Sequence, residues 1–417
     1  MHTPETRTRL VIVTGLPTAP VTSVTETLLA AAPGTVAVHH DLRQLRHGVV
    51  VRRVRQHDGR ERVTTVELAH GCVSCTLRED LLPVLVDLAD APDTRRIVLR
   101  IDPVLEPESI CWALRHVALA GQNTLADVLD IEAVIAVLDT ATWLSDATGT
   151  VELTERGLAS TADDDRTLAQ VAVGQAEFAD ALILAGVPRN AWTVARTNAV
   201  LDRLCPTAPR TRVEVLDPAA LLARIPADAR RGRINDPHGP VLCGEPPVEA
   251  DCGAALTVFT ARRPFHPERL HTALDVLLDG VVRVRGRLWV ASQPDYALWL
   301  ESAGGGLEVY HAGPWLAALD QSLWDSVSAE RRALAALRWD PYYGDRDQEL
   351  TVLTHQADPA EITRALEVAL LTDDELAEGW QAWREFPDPL GERHTEPCAD
   401  RPGGQKTGRT HFGKENA

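Results

Sequence analysis

Leu10-Val11-Ile12-Val13-Thr14-Gly15 is an apolar run closed by glycine, and it leads into Leu16-Pro17-Thr18-Ala19-Pro20-Val21-Thr22-Ser23. The run predicts a buried strand and the proline-containing stretch a loop. Good helix formers with apolar spacing at Val24, Leu28 and Leu29 predict a helix over 22–32. Working outward, short apolar runs at 35–38, 95–101, 133–138 and 181–184 alternate with helical patterns at 76–89 and 167–178. Strands alternating with helices in this way predict an α/β fold, a mostly parallel doubly wound sheet with ligand sites beyond the carboxyl ends of its strands. This domain is expected to span 1–226.

From 227 to 253 the composition turns polar and rich in Gly and Pro, with Asp236-Pro237-His238-Gly239-Pro240 and Glu245-Pro246-Pro247, which reads as a solvated linker. A second domain is expected over 254–390. Strands at 256–260, 281–284, 288–291 and 349–353 and helices at 267–278 and 359–370 make it a small α+β domain with a largely antiparallel sheet. Residues 391–417 are polar and nearly devoid of aliphatic side chains, which predicts a disordered tail.

Composition limits the chemistry. The 417 residues carry 60 acidic and 42 basic side chains, a formal charge of -18, which argues against a nucleic-acid or anionic-membrane partner. No apolar stretch reaches the roughly 18 residues of a membrane span, so a cytoplasmic protein is expected. Seven scattered cysteines do not suggest a disulfide framework, and Cys72 and Cys75 form a local Cys-x-x-Cys pair. The only lysines are Lys406 and Lys414. Residues 1–405 therefore offer no Schiff-base lysine and no ordinary phosphate-binding lysine.

The loop at 15–23 sits where a P-loop belongs, and Gly71-Cys72-Val73-Ser74-Cys75-Thr76-Leu77-Arg78-Glu79-Asp80-Leu81 follows it. Further along come Arg262-Arg263-Pro264-Phe265-His266-Pro267-Glu268-Arg269-Leu270, Gly286-Arg287-Leu288-Trp289-Val290-Ala291, Gly344-Asp345-Arg346-Asp347-Gln348-Glu349-Leu350 and Leu370-Leu371-Thr372-Asp373-Asp374-Glu375. Together these resemble the CobW-type metallochaperone GTPases. The resemblance implies a P-loop GTPase domain with a Cys-x-Cys-Cys metal motif, joined to a smaller CobW C-terminal domain. It also implies a GTP-driven release of metal into a client metalloprotein.

Departures from the family pattern decide the functional expectation. A working P-loop wraps phosphate with backbone N–H groups made available by glycines, and adds a Lys charge and a Ser/Thr hydroxyl for Mg²⁺. Here Thr18 and Pro20 stand at glycine positions, Val21 stands at the lysine position, and Pro17 and Pro20 lack an N–H. Gly15, Thr22 and Ser23 remain as nucleotide positions, with Asp102 as the one carboxylate for the Mg²⁺ side. The guanine-reading Asn-Lys-x-Asp would fall on Ala185-Gly186-Val187-Pro188, which has no carboxylate. A pseudo-GTPase, not a hydrolase, is expected.

The metal motif is damaged less. Ser74 replaces the middle cysteine, but Cys-x-x-Cys spacing still suits two thiolates on one tetrahedral zinc ion. By the resemblance, His40 falls on a glutamate position that borders the metal, and His70 precedes the cysteine turn. A Zn²⁺ site of Cys72, Cys75 and His40 with His70, Asp41 or water is therefore expected. Taken singly, the cysteines also suit buried small residues or a redox pair, and the histidines suit surface or capping positions. The expectation is a zinc-homeostasis protein or metallochaperone serving a client metalloprotein. Two alternatives stay open: an active GTPase using non-standard phosphate contacts, with Arg100 supplying the missing charge, and a ligand-free interaction scaffold.

Overall fold

The computed structural model describes residues 7–68, 72–118, 124–159, 161, 164–242, 244–390 and 409–412. By its contacts the chain separates into two units, 1–146 with 151–234, and 147–150 with 235–417. The first is built on strands β1 (Thr8–Thr14), β2 (Thr35–Asp41), β3 (Val49–Gln56), β4 (Glu61–Glu67), β5 (Arg96–Arg100), β6 (Leu129–Asp139), β7 (Ala181–Ala185) and β8 (Arg210–Arg212). They form one sheet in the order β4-β3-β2-β5-β1-β6-β7-β8. All pairings from β2 to β8 are parallel, whereas β3 and β4 add an antiparallel hairpin at one edge. The mostly parallel doubly wound sheet is thus as expected, and β1 is central. Its Leu10 to Val13 are all fully buried, as a strand covered by helices on both faces requires.

The first helix, α1 (Thr18–Ala30), starts four residues earlier than the predicted 22–32. Its prolines do not break it. Pro17 is the N-cap residue and Pro20 lies in the first turn, where a missing N–H removes no intrahelical bond. Thr22 consequently sits inside the helix and donates its hydroxyl to Thr18 O (2.8 Å), so it does not cap the helix. The predicted helix over 76–89 is a composite of α2 (Val73–Thr76), a π-turn at Leu77–Leu81 and α3 (Leu82–Ala89).

The second unit is a separate, wholly antiparallel sheet in the order β14-β12-β11-β10-β13-β9. Its strands are β9 (Ala254–Ala261), β10 (Val281–Leu288), β11 (Tyr296–Ala303), β12 (Gly306–Pro314), β13 (Gln348–His355) and β14 (Arg409–Phe412). Helices Pro267–Leu274 and Pro359–Ala369 supply Leu270, Leu274, Ile362 and Leu366 to a core against Val284, Leu300 and Val352. The predicted strands at 281–284 and 288–291 are a single β10 that runs through Gly286. That is possible because Gly286 has no Cβ: one built there would lie 2.0 Å from Glu349 O, at φ +156°.

The stretch 227–253 does not stand apart as a solvated linker. Arg231 N donates to Asp180 Oδ1 (2.8 Å), and Ile234 packs on the first unit's core. Within the second unit, Arg287 Nη1 donates to the carbonyls of Pro237 (3.0 Å) and Gly239 (3.1 Å), and the His238 ring meets Trp315 edge-on. In the tail predicted as disordered, Arg409–Phe412 pairs with β12 as β14; the rest of 391–417 lies outside the described residues.

Candidate functional site

The candidate residues collect where a doubly wound sheet places its ligands, at the carboxyl ends of β1, β2 and β5. Successive residues of β2 point to opposite faces. His39 turns to β5, where its Nδ1–H donates to Arg100 O (3.2 Å). Burial, with the nearby Arg100 charge, pushes its pKa down to about 4, so the ring is neutral at neutral pH. His40 turns to the other face and is 5% exposed.

There His40 Nε2 lies 2.7 Å from Asp80 Oδ2, and the other carboxylate oxygen of Asp80 accepts from Arg52 Nη1. Asp80 reaches inward from the π-turn, a widened helical turn common at functional sites, and is 6% exposed. Arg52 is opposite His40 in the β2–β3 register, so the hairpin delivers the guanidinium that neutralises the buried carboxylate. A carboxylate only accepts, so Nε2 carries a proton toward Asp80. His40 Nδ1 is buried and has no hydrogen-bond partner among the described residues. A carboxylate on one ring nitrogen with the other left open is the arrangement that orients metal-ligating histidines.

Cys72 directly precedes α2 and is half-buried, with Thr76 N and Oγ1 both donating to its carbonyl (3.2 Å each). The Cys75 backbone lies in α2; its side chain and all of His70 lie outside the described residues. Among the described residues no group of three or more His, Cys, Asp or Glu gathers as a metal site. The structure therefore brings His40 to Asp80 and Arg52, a pair the sequence reading did not assign. Asp80 was visible within the cysteine-motif helix, but Arg78-Glu79-Asp80 reads as a solvated charge run until the π-turn rotates Asp80 inward.

The nucleotide positions have a different fate. Gly15 is required, since a Cβ there would come within 2.4 Å of Val137 O. Beyond it the chain turns into helix almost at once, with Val21 N bonded to Pro17 O (3.1 Å) and the Val21 side chain buried in the core with Val24 and Leu28. Ser23 is exposed on α1. Thr22 Oγ1, whose proton goes to Thr18 O, accepts from Arg100 Nη1 (2.9 Å). Asp102 is buried and accepts from Leu42 N (3.1 Å) and Val104 N (3.3 Å), stapling the end of β5 to the end of β2; burial pushes its pKa up. At the base-recognition end, Gly186 follows β7 at φ +74°, packed on the Asp139 carboxylate, and Val187 is exposed.

The hydroxyl that would ligate a Mg²⁺ ion in a working phosphate loop already accepts from the Arg100 guanidinium. Elsewhere burial makes Cys111 and Cys205 inert, holding both thiols up at about 12.

The sequence model described as the CobW/HypB/UreG nucleotide-binding domain matches residues 38–210, and that of the cobalamin synthesis protein cobW C-terminal domain matches 255–370. A zinc chaperone of Mycobacterium tuberculosis is 46% identical over 382 residues, covering 88% of this chain and 90% of the relative. A zinc-regulated GTPase metalloprotein activator of Dictyostelium discoideum is 26% identical over 338 residues, 78% of this chain and 70% of that one. Among solved structures, the Zn(II)-bound YjiA GTPase from E. coli aligns with a TM-score of 0.38 at 14% identity, covering 88% of this chain and 99% of that chain. With both domains matched in order and a relative this similar over nearly its whole length, the chain belongs to the CobW-type metallochaperone GTPase family.

Proposed function

We propose that this protein is a zinc-binding metallochaperone that delivers its metal to a client metalloprotein and has given up GTP chemistry. The observation that carries the metal reading is His40, buried, with Nε2 committed to Asp80 and Nδ1 without a partner among the described residues. Cys72, Cys75 and His70 are the proposed companions of His40, with thiolate and imidazole suited to Zn²⁺. The relatives named as a zinc chaperone and a zinc-regulated metalloprotein activator support the same cargo.

For the nucleotide side, the support is the helical start of α1 at Thr18, the buried Val21, the Arg100 contact on Thr22 and the absence of a carboxylate over 185–188. In this reading binding and transfer, not hydrolysis, do the work, and exchange is driven by the client. No helix among the described residues is long and apolar enough to cross a membrane, which suits the cytoplasmic setting we assign.

The test is the metal content of purified protein. Zinc should copurify with the wild-type chain and be lost from Cys72→Ala/Cys75→Ala. Equal zinc in both would overturn the Cys72 and Cys75 site, and no zinc in either would leave the ligand-free scaffold as the better reading.

A further inference from the structure

Several partly buried arginines of the first unit hold carboxylates: Arg52 with Asp80, Arg96 with Glu132, Arg166 with Asp164 and Glu106. Arg115 and Arg231 bond backbone carbonyls instead, and Arg100 bonds a hydroxyl. Among the described residues no carboxylate lies within ion-pair distance of it, its Nε is buried without a partner, and Nη1 is spent on the Thr22 hydroxyl (2.9 Å). Asp41 and Asp102 act on it only through space. Leaving a guanidinium unpaired is costly, so its placement asks for an explanation.

Chemistry supplies one. Thr22 occupies the position whose hydroxyl, in a working phosphate loop, is a ligand of Mg²⁺. A cation does sit there, but it is covalently part of β5. The same residue's carbonyl accepts from His39, next in the chain to His40. Arg100 thus touches α1 with its side chain and β2 with its backbone.

We propose that the Arg100 guanidinium is a built-in stand-in for the Mg²⁺ ion: it takes the Thr22 hydroxyl, clasps α1 to β5, and fixes this end of the sheet without nucleotide. The inference rests on the reading that GTP chemistry is lost, and deepens it by naming what fills the vacated role. Arg100 is a positioning residue, since it acts on α1 through Thr22 and on the β2 end through His39. The clasp also accounts for Thr22 being retained beside a degraded loop.

Hydrogen exchange of the α1 amides in the full-length protein tests this, with wild type, Arg100→Met, Arg100→Lys and Thr22→Val compared with and without millimolar Mg²⁺ and GTP. Loss of one charge-assisted bond predicts roughly tenfold faster exchange in Arg100→Met and Thr22→Val. Arg100→Lys, which keeps the charge, should recover part of the protection. The discriminating readout is Mg²⁺ alone: it should slow α1 exchange in Arg100→Met, whose Thr22 hydroxyl is vacated, and leave wild type unchanged.

Faster exchange with no Mg²⁺ response would reduce the contact to an ordinary structural bond and overturn the proposal, as would unchanged exchange in Arg100→Met. Protection of wild-type α1 by GTP with Mg²⁺ is a different failure, since it would contradict the loss of GTP chemistry itself.

Discussion

At the scale of single residues, the account turns on how Asp80 and Arg52 set the state of His40. A carboxylate behind a ligating imidazole raises its basicity and fixes its orientation, and removing such a partner typically costs 10–100-fold in metal affinity. Asp80→Asn is therefore expected to weaken zinc binding by about 10–100-fold, measured by competition with a chromogenic chelator, while the fold is kept. His39 makes a separate prediction. Its pKa is 6.5 unfolded and about 4 folded, so the unfolded chain binds the extra proton between those values. The stability it contributes is whole above pH 6.5 and lost as pH falls toward 4, on the order of 3 kcal/mol. The raised pKa of Asp102 works in the opposite sense and trims this. In His39→Asn the urea midpoint should fall less between pH 7 and pH 4.5 than in wild type; an equal fall would remove His39 from the acid response. Of these residues His40 was singled out in the sequence through the resemblance, which sets it on a glutamate position that borders the family's metal. The sequence did not expose Asp80 or Arg52, whose roles arise only when a π-turn and a strand register bring together residues 28 and 40 positions apart.

At the scale of elements, legibility follows how each segment is buried. The parallel strands β1, β2, β5, β6 and β7 are apolar on both faces and announce themselves as continuous runs. The β3–β4 hairpin is half-exposed, its mixture of Val with Arg and Thr was passed over, and the Asp58-Gly59 pair with Gly59 at φ +88° marks its turn. β11, mostly buried, and β12, mostly half-buried, were also passed over; they are joined through Gly304 and Gly305. In the loop at 15–23 the residues were read correctly as poor phosphate wrappers, but prolines that looked like loop makers instead begin a helix. Gly286 gives this scale its prediction. Any side chain there drives into the backbone of β13, so Gly286→Ala should destabilise the second unit by several kcal/mol, on the order of 4, seen in urea unfolding followed by tryptophan fluorescence. Trp289, Trp299 and Trp315 are buried in that unit and report on it directly. A cost below about 1 kcal/mol would mean that β10 and β13 separate more easily than this register implies.

At the scale of the whole molecule, two matched domains frame the proposed cargo and the proposed loss of a nucleotide switch. A formal charge of -18 disfavours polyanionic partners. If a nucleotide switch still operated, metal affinity would depend on GTP; if Arg100 has taken the place of the ion, it would not. The most direct measurement is a zinc titration of the full chain against a competing chelator, in wild type and His40→Ala, with and without GTP and Mg²⁺. The account predicts a wild-type affinity indifferent to GTP with Mg²⁺ and weakened at least tenfold by His40→Ala. A wild-type affinity that shifts when GTP and Mg²⁺ are added, or a His40→Ala protein that binds zinc as tightly as wild type, would contradict it.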